Sequence, residues 1–159
     1  MKNLRARLRD ERGFNLIELM IVMAIIGLLI AVGALAWQSV MSTGNETAAA
    51  SQLNKIGALQ AQYASTHKGQ FATFDDLIAK LGFDESFKGQ NPVVRGYIFT
   101  MTVDPGSAAK PPSYSVAADP QVPEGVSKTG SRHFYTDSSL STIKATDENR
   151  PAKADDPSM

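Results

Sequence analysis

Glu18 is the residue whose setting demands a chemical explanation. It stands directly ahead of residues 19–37, nineteen consecutive positions with no charged, amide or hydroxyl side chain. An unpaired carboxylate in an apolar medium is strongly disfavoured, so Glu18 needs either a cationic partner or a place near the water boundary. The other reactive groups do not assemble into a site. Without cysteine there is no disulfide framework and no thiolate metal site. His67 and His133 stand far apart and neither opens an HxxxH or HExxH motif. Asp137-Ser138-Ser139 lacks a nucleophile elbow and a supported base, so Asp137 reads as a turn residue. Asp75-Asp76 lacks an EF-hand loop and reads as helix capping, and the scattered glycines form no phosphate-binding loop. The expectation is a protein that is not an enzyme, with no catalytic residue, no metal and no cofactor.

The element that carries Glu18 is a membrane-length helix. As a helix, residues 19–37 span about 28 Å, close to the hydrocarbon thickness of a bilayer, and they are apolar on every face. The charge is segregated around this run. The first 13 residues carry Lys2, Arg5, Arg7, Arg9 and Arg12 against Asp10 and Glu11, a net of +3, although the whole chain has 16 cations and 16 anions. Residues 38–54 carry no Lys or Arg and one acid, Glu46. This asymmetry predicts a single-pass protein with its N-terminus in the cytoplasm and everything after Trp37 across the membrane. A cleaved signal peptide has a shorter apolar core with a small-residue site behind it, whereas Arg12-Gly13-Phe14 stands in front. A plain signal anchor is the simpler competitor, and it leaves Glu18 unexplained.

The stretch Gly13-Phe14-Asn15-Leu16-Ile17-Glu18-Leu19-Met20-Ile21-Val22, behind a short basic leader, resembles the cleavage and methylation motif of type IV pilins and of the pseudopilins of type II secretion. The resemblance is strong over residues 12–37 and weaker beyond. It implies that a prepilin peptidase cuts after Gly13 and methylates Phe14, leaving Glu18 at the fifth mature position. It implies assembly through Leu16, Ile17, Leu19, Ile21 and Val22, with Gly27 and Gly33 either at packing surfaces or at points where the helix loosens. Its partners would be further copies of itself, the peptidase, a pilus or secretion assembly platform with its ATPase, and membrane lipid before assembly. The protein would sit in a bacterial inner membrane, head in the periplasm, and then in an extracellular pilus. Glu18 would pair with the Phe14 amine of a neighbouring subunit, which sets register more than it adds stability. Many pilins carry a proline near the middle of this helix; Ala31 to Leu35 stand there instead. Neither a pilin disulfide loop nor the glycine-rich acidic calcium loop of many major pseudopilins is evident. A surface pilin is the preferred reading, a major pseudopilin the alternative, and a non-assembling membrane-anchored binding module the reading from another class. Some pilins bind DNA, but no basic aromatic platform for nucleic acid is present here.

The expected fold is α+β, a long N-terminal transmembrane and packing helix with a small antiparallel β-sheet head. Residues 1–13 form the leader, 14–65 the helix, with 14–37 as membrane or filament core, and 66–159 the head. A stripe of Ala49, Leu53, Ile56, Leu59 or Gln60, and Tyr63 faces that head, and Ser42-Thr43-Gly44-Asn45 is a possible helix end and restart with Asn45 as cap. Thr73 and Asp76 have capping-box spacing ahead of a short helix that Gly82 ends. Strands are expected at 97–103, 113–118, 132–136 and 141–145, three or four of them pairing. His133 is placed on the solvent side of its strand or in a hairpin. The polar, acidic tail 147–159 is expected to fray.

Overall fold

The computed structural model describes residues 14–159 apart from the Leu35 side chain. The expected leader, Gly13 included, lies outside the described residues. Helix α1 (Leu16–Thr66) is continuous over 51 residues. One compact unit ends at Ala36 and a second comprises Trp37–Met159. The second holds the rest of α1, then α2 (Phe74–Leu81), a 3-10 turn (Glu85–Phe87) and strands β1 (Val93–Val94), β2 (Tyr97–Asp104), β3 (Ser113–Pro120), β4 (His133–Asp137) and β5 (Lys144–Thr146). These form one antiparallel meander in the order β1-β2-β3-β4-β5. The fold is α+β, with a two-residue strand ahead of the four expected ones.

The anticipated break at residues 42–45 does not occur. Ser42 and Thr43 both donate their hydroxyls to the Ser39 carbonyl at 3.0 Å, and Thr47 donates to the Thr43 carbonyl at 2.9 Å. The polar side chains thus bond back into the helix instead of ending it. Asn45 is not a cap: its amide donates to the Thr129 carbonyl at 2.9 Å, a partner 84 residues away.

Ala49, Leu53, Ile56, Gln60 and Tyr63 are all buried, so the three-four spacing forms the core-facing stripe, with Gln60 taking the inward position over Leu59. Gln60 is satisfied by main chain. Its Nε2 donates to the Ala72 carbonyl at 2.6 Å and its Oε1 accepts from the Ala72 N–H at 2.9 Å. Opposite lies the apolar face of the sheet, where Phe99 pairs with Ala118 and Ala118 with Phe134 in register. Phe87 joins the layers, its ring centroid 4.6 Å from Phe83, 4.9 Å from Phe99 and 5.5 Å from Phe74. Helix α2 is capped as expected: Thr73 Oγ1 accepts from the Asp76 N–H, and Gly82 ends the helix in the left-handed region at φ 65°. The hydrogen bond from Lys80, and then that from Thr73, holds the Asp76 carboxyl below its ordinary value.

Two expectations fail for the same reason. The tail does not fray, because β5 would otherwise present an unpaired edge. The Ala145 N–H donates to the Pro157 carbonyl at 2.9 Å, and the Met159 N–H donates to the Ile143 carbonyl at 3.0 Å. Arg150 organises the loop between: its Nη1 and Nη2 donate to both Asp156 oxygens at 2.9 and 2.6 Å, and its Nε donates to Glu148 at 2.6 Å. His133 is not on a solvent face either. It is buried, with Nδ1 2.5 Å from Asp119 Oδ1 on the neighbouring strand, while its buried Nε2 has no hydrogen-bond partner.

Two outcomes follow for the full chain in detergent. Gln60→Leu leaves both main-chain groups of Ala72 unsatisfied and should lower unfolding free energy by about 2–4 kcal/mol in a denaturant titration. Asp156 is held down to about 2, first by the Arg150 hydrogen bonds and then by the Lys153 N–H. Because the folded state depresses this carboxyl, its contribution to stability is complete above the unfolded value near 3.8 and disappears as pH falls through about 2. Arg150→Ala should lower the melting temperature near neutral pH and remove that part of the acid dependence, whereas a metal chelator should change neither.

Candidate helix assembly surface

The apolar helix starts at a cap that its sequence contains in plain form. Asn15 Oδ1 accepts from the Ile17 N–H at 3.2 Å, and the Asn15 carbonyl accepts from the N–H groups of Glu18 and Leu19 at 2.9 and 3.2 Å. Asn15 is therefore the N-cap, and Glu18 is the third residue of the first turn. A carboxylate there is favoured by the partial positive charge of the helix N-terminus, which makes Glu18 tolerable before any partner arrives. Among the described residues its side chain enters no hydrogen bond or ion pair. The Asn-x-x-Glu spacing is a local capping signal in the sequence.

Behind the cap, every large apolar residue from Phe14 to Val32 is exposed, Phe14 at 80% and Leu16 at 75% among them, with Ile17, Leu19, Ile21 and Val22 included. Fully burying one such side chain is worth about 1.5–3 kcal/mol, so a surface of this size in water requires a covering medium or partner. Gly27 and Gly33 have no atom within 4 Å of where a Cβ would stand, so neither glycine is demanded by a contact inside the chain. Ala24, Gly27, Ala31 and Ala34, spaced three, four and three apart, set small residues along one face. This is the one helix among the described residues long and apolar enough to cross a membrane.

No group of three or more His, Cys, Asp or Glu residues that could hold a metal occurs among the described residues. An open groove of about 490 Å³ between α1 and the β4–β5 connection is lined by Leu53, Gly57, Tyr114, Ile143 and Asp137. Asp137 is committed to its turn, accepting from the Ser139 N–H at 2.8 Å and from the Ser139 hydroxyl at 2.6 Å. Burial alone would raise its carboxyl, but the hydrogen bonds from Ser139, Tyr135 and Leu140 prevail and hold it below the usual range. His67 stacks on Tyr63 at 3.8 Å between ring centroids.

A family model described as the prokaryotic N-terminal methylation motif matches residues 8–34. No curated protein and no solved structure matches the chain. The methylation motif typical of type IV pilins and pseudopilins is therefore present, on a helix whose far end carries a small antiparallel sheet.

Replacing the cap tests the local geometry. Asn15→Ala should destabilise the first turn by about 1 kcal/mol, read as roughly fivefold faster amide exchange at Ile17, Glu18 and Leu19 in detergent, with the head's exchange unchanged.

Proposed function

We propose that this chain is the structural subunit of a type IV pilus, made as a prepilin and polymerised through its N-terminal helix. The observation that carries the reading is an all-round exposed apolar helix that follows the methylation motif and bears one carboxylate, Glu18, in its first turn. In this reading the leader is residues 1–13, the helix 14–65 and the head 66–159. The subunit enters the inner membrane with its N-terminus cytoplasmic and its head periplasmic. A prepilin peptidase cuts after Gly13 and methylates Phe14. An assembly platform and its ATPase then draw the subunit into a filament that ends outside the cell.

The energetics favour exchange over gain. Residues 14–37 are covered by lipid before assembly and by neighbouring helices after it, so close contact at small residues such as Gly27 and Gly33 distinguishes the two states more than hydrophobicity does. The Phe14 amine keeps its positive charge when monomethylated, and it stands ahead of a helix N-terminus that disfavours a cation. A neighbour's Glu18 offsets that unfavourable placement and takes part of its own desolvation with it. The pair fixes axial register, because only one stagger of adjacent helices brings the fifth mature residue to the first.

Mass spectrometry of the mature protein should find monomethyl-Phe14 as the first residue; an intact leader would reject the assignment. Glu18→Gln should leave cleavage intact and weaken each subunit addition by about 1.5–3 kcal/mol, roughly ten- to a hundredfold, seen by electron microscopy of sheared cells as loss of filaments. Normal filament yield from that variant would remove Glu18 from the mechanism. Deleting the gene should abolish long surface pili. Unaltered pili with a loss of protein export would assign the chain instead to a secretion pseudopilus.

A further inference from the structure

Strand β2 has a free edge over its second half. Its pairing with β1 ends where the Phe99 N–H donates to the Pro92 carbonyl at 2.9 Å. Ahead of Pro92 the chain is tied elsewhere: Asn91 Oδ1 accepts from the Thr100 hydroxyl at 3.1 Å, Gly89 turns at φ 100°, and the Gly89 N–H donates to Asp75 Oδ1 on α2 at 3.3 Å. Between β2 and the start of α2 this leaves a groove of about 490 Å³, bounded by Phe74, Asp75, Gln90, Asn91, Met101 and Val103.

The alternation of an antiparallel ladder fixes which main-chain groups point into that groove. The Phe99 N–H points to the β1 side, away from β3. Toward the other end of the strand, Val103 lies opposite Tyr114, whose carbonyl accepts from the Ser138 N–H at 3.0 Å on the far side of β3. Both anchors place the odd-numbered residues of β2 in the non-hydrogen-bonded positions of the β2–β3 ladder. The N–H and C=O groups of Met101 and Val103 therefore face the groove. Among the described residues no other group bonds to them; Gln60 reaches Met101 only at its sulfur, 3.6 Å away. The side chains agree. Tyr97 and Phe99 on the same face are fully buried, whereas Met101 and Val103 pack on the core but are only half-buried. The opposite edge of the sheet is closed by the tail, through Pro157 and Met159 on β5. An edge with free donors and acceptors is a template for a further strand.

We infer that this edge pairs with the same edge of a second copy, antiparallel about a two-fold axis at Thr102. In that register Met101 faces Val103 of the second copy and Val103 faces its Met101, and each pair exchanges two N–H···O=C bonds. A slip of one residue would set free groups against groups already bonded to β3. The neighbours across the axis suit the contact, with methionine against valine on the core face and threonine against threonine on the outer one. Residues 101–103 carry no charge, and Asp104 at the margin is met by Lys110 at 2.6 Å, so like charges do not oppose. The contact is short because Asn91 closes the groove at one end, and Pro105 with Gly106 at φ 77° turns the strand away at the other. A foreign peptide would have to bring this alternation and these apolar side chains. A second copy has both by construction, which is what a two-fold contact requires.

The pairing goes beyond the function proposed above. A two-fold contact closes at two copies and cannot propagate a filament, so it joins subunits in pairs and needs neither residues 14–37 nor processing.

The test uses the full-length chain in detergent, which has no native cysteine among its residues. Thr100 and Thr102 are both exposed on the outer face of β2. In Thr102→Cys the two substituted Cα atoms lie about 4.5 Å apart across the axis, within disulfide range. In Thr100→Cys they lie about 13 Å apart, beyond that range. Under mild oxidant Thr102→Cys should form the linked dimer at least roughly tenfold faster than Thr100→Cys. A micelle that holds two chains by their helices promotes both variants alike, so equal rates overturn the pairing. In the unsubstituted chain, raising the protein from about 10 to about 500 µM at a fixed detergent ratio should slow amide exchange at Met101 and Val103 at least about fivefold and leave Thr100 and Thr102, bonded to β3, unchanged. Exchange at 101 and 103 that does not respond to concentration overturns the second copy as occupant. Slowed exchange there with equal disulfide rates overturns the two-fold register. Neither result bears on the leader or on Glu18, so loss of the pairing leaves the filament reading standing.

Discussion

The constraint on which the rest depends is that residues 19–37 lie in a helix with no polar face. A helix with one apolar stripe is completed by a sheet packed against that stripe, but a helix that is apolar around its whole circumference needs a surrounding medium of the same kind. Lipid and a bundle of identical helices both meet that need. The chain's chemistry is correspondingly spare: one carboxylate in the first turn, capped by Asn15, and no catalytic constellation among the described residues. In the function proposed above, one apolar surrounding is exchanged for another, and Glu18 would set where neighbouring helices stop sliding.

The polar half of α1 solves a different problem. Its inward stripe is mixed, with Leu53 and Ile56 under the sheet and Gln38, Asn45, Glu46 and Gln60 reaching main-chain groups of loops. Apolar residues at these four positions would cover the loops but leave their N–H and carbonyl groups without partners, which is the more expensive outcome in a buried place. Amide side chains supply both donors and acceptors, so they serve a loop as a neighbouring strand would. A head of five short strands without disulfides is thereby held to one helix by packing in its centre and by such side-chain pairs at its ends.

Much of this was readable from the residues. The apolar length, the methylation motif and the strand alternation each arise from local spacing, so the helix, strands over 97–103 and 113–118, and the cap at Thr73 were visible, whereas β2 and β3 run on through Asp104 and Pro120, which read as stops. Asn15 was visible in principle through its spacing to Glu18. The tail and His133 depart from the sequence expectation because their state depends on what lies beside them. A polar, acidic segment has no reason to be ordered until Arg150 finds Asp156 and β5 offers a free edge, and a histidine is outside or inside according to whether Asp119 stands on the next strand.

The sequence by itself determined which segment must leave water, which end carries the methylation motif, and which face of each strand is apolar, because those properties depend on neighbours within a turn or a strand. Only the tertiary structure decided that α1 passes unbroken through Gly44, that Asn45 holds Thr129, that the tail closes the sheet, and that Gly96 in the β1–β2 turn packs against Thr129. Those outcomes are pairings across tens of residues, and a side chain able to bond either to its own backbone or to a distant loop gives no local sign of which partner it will find.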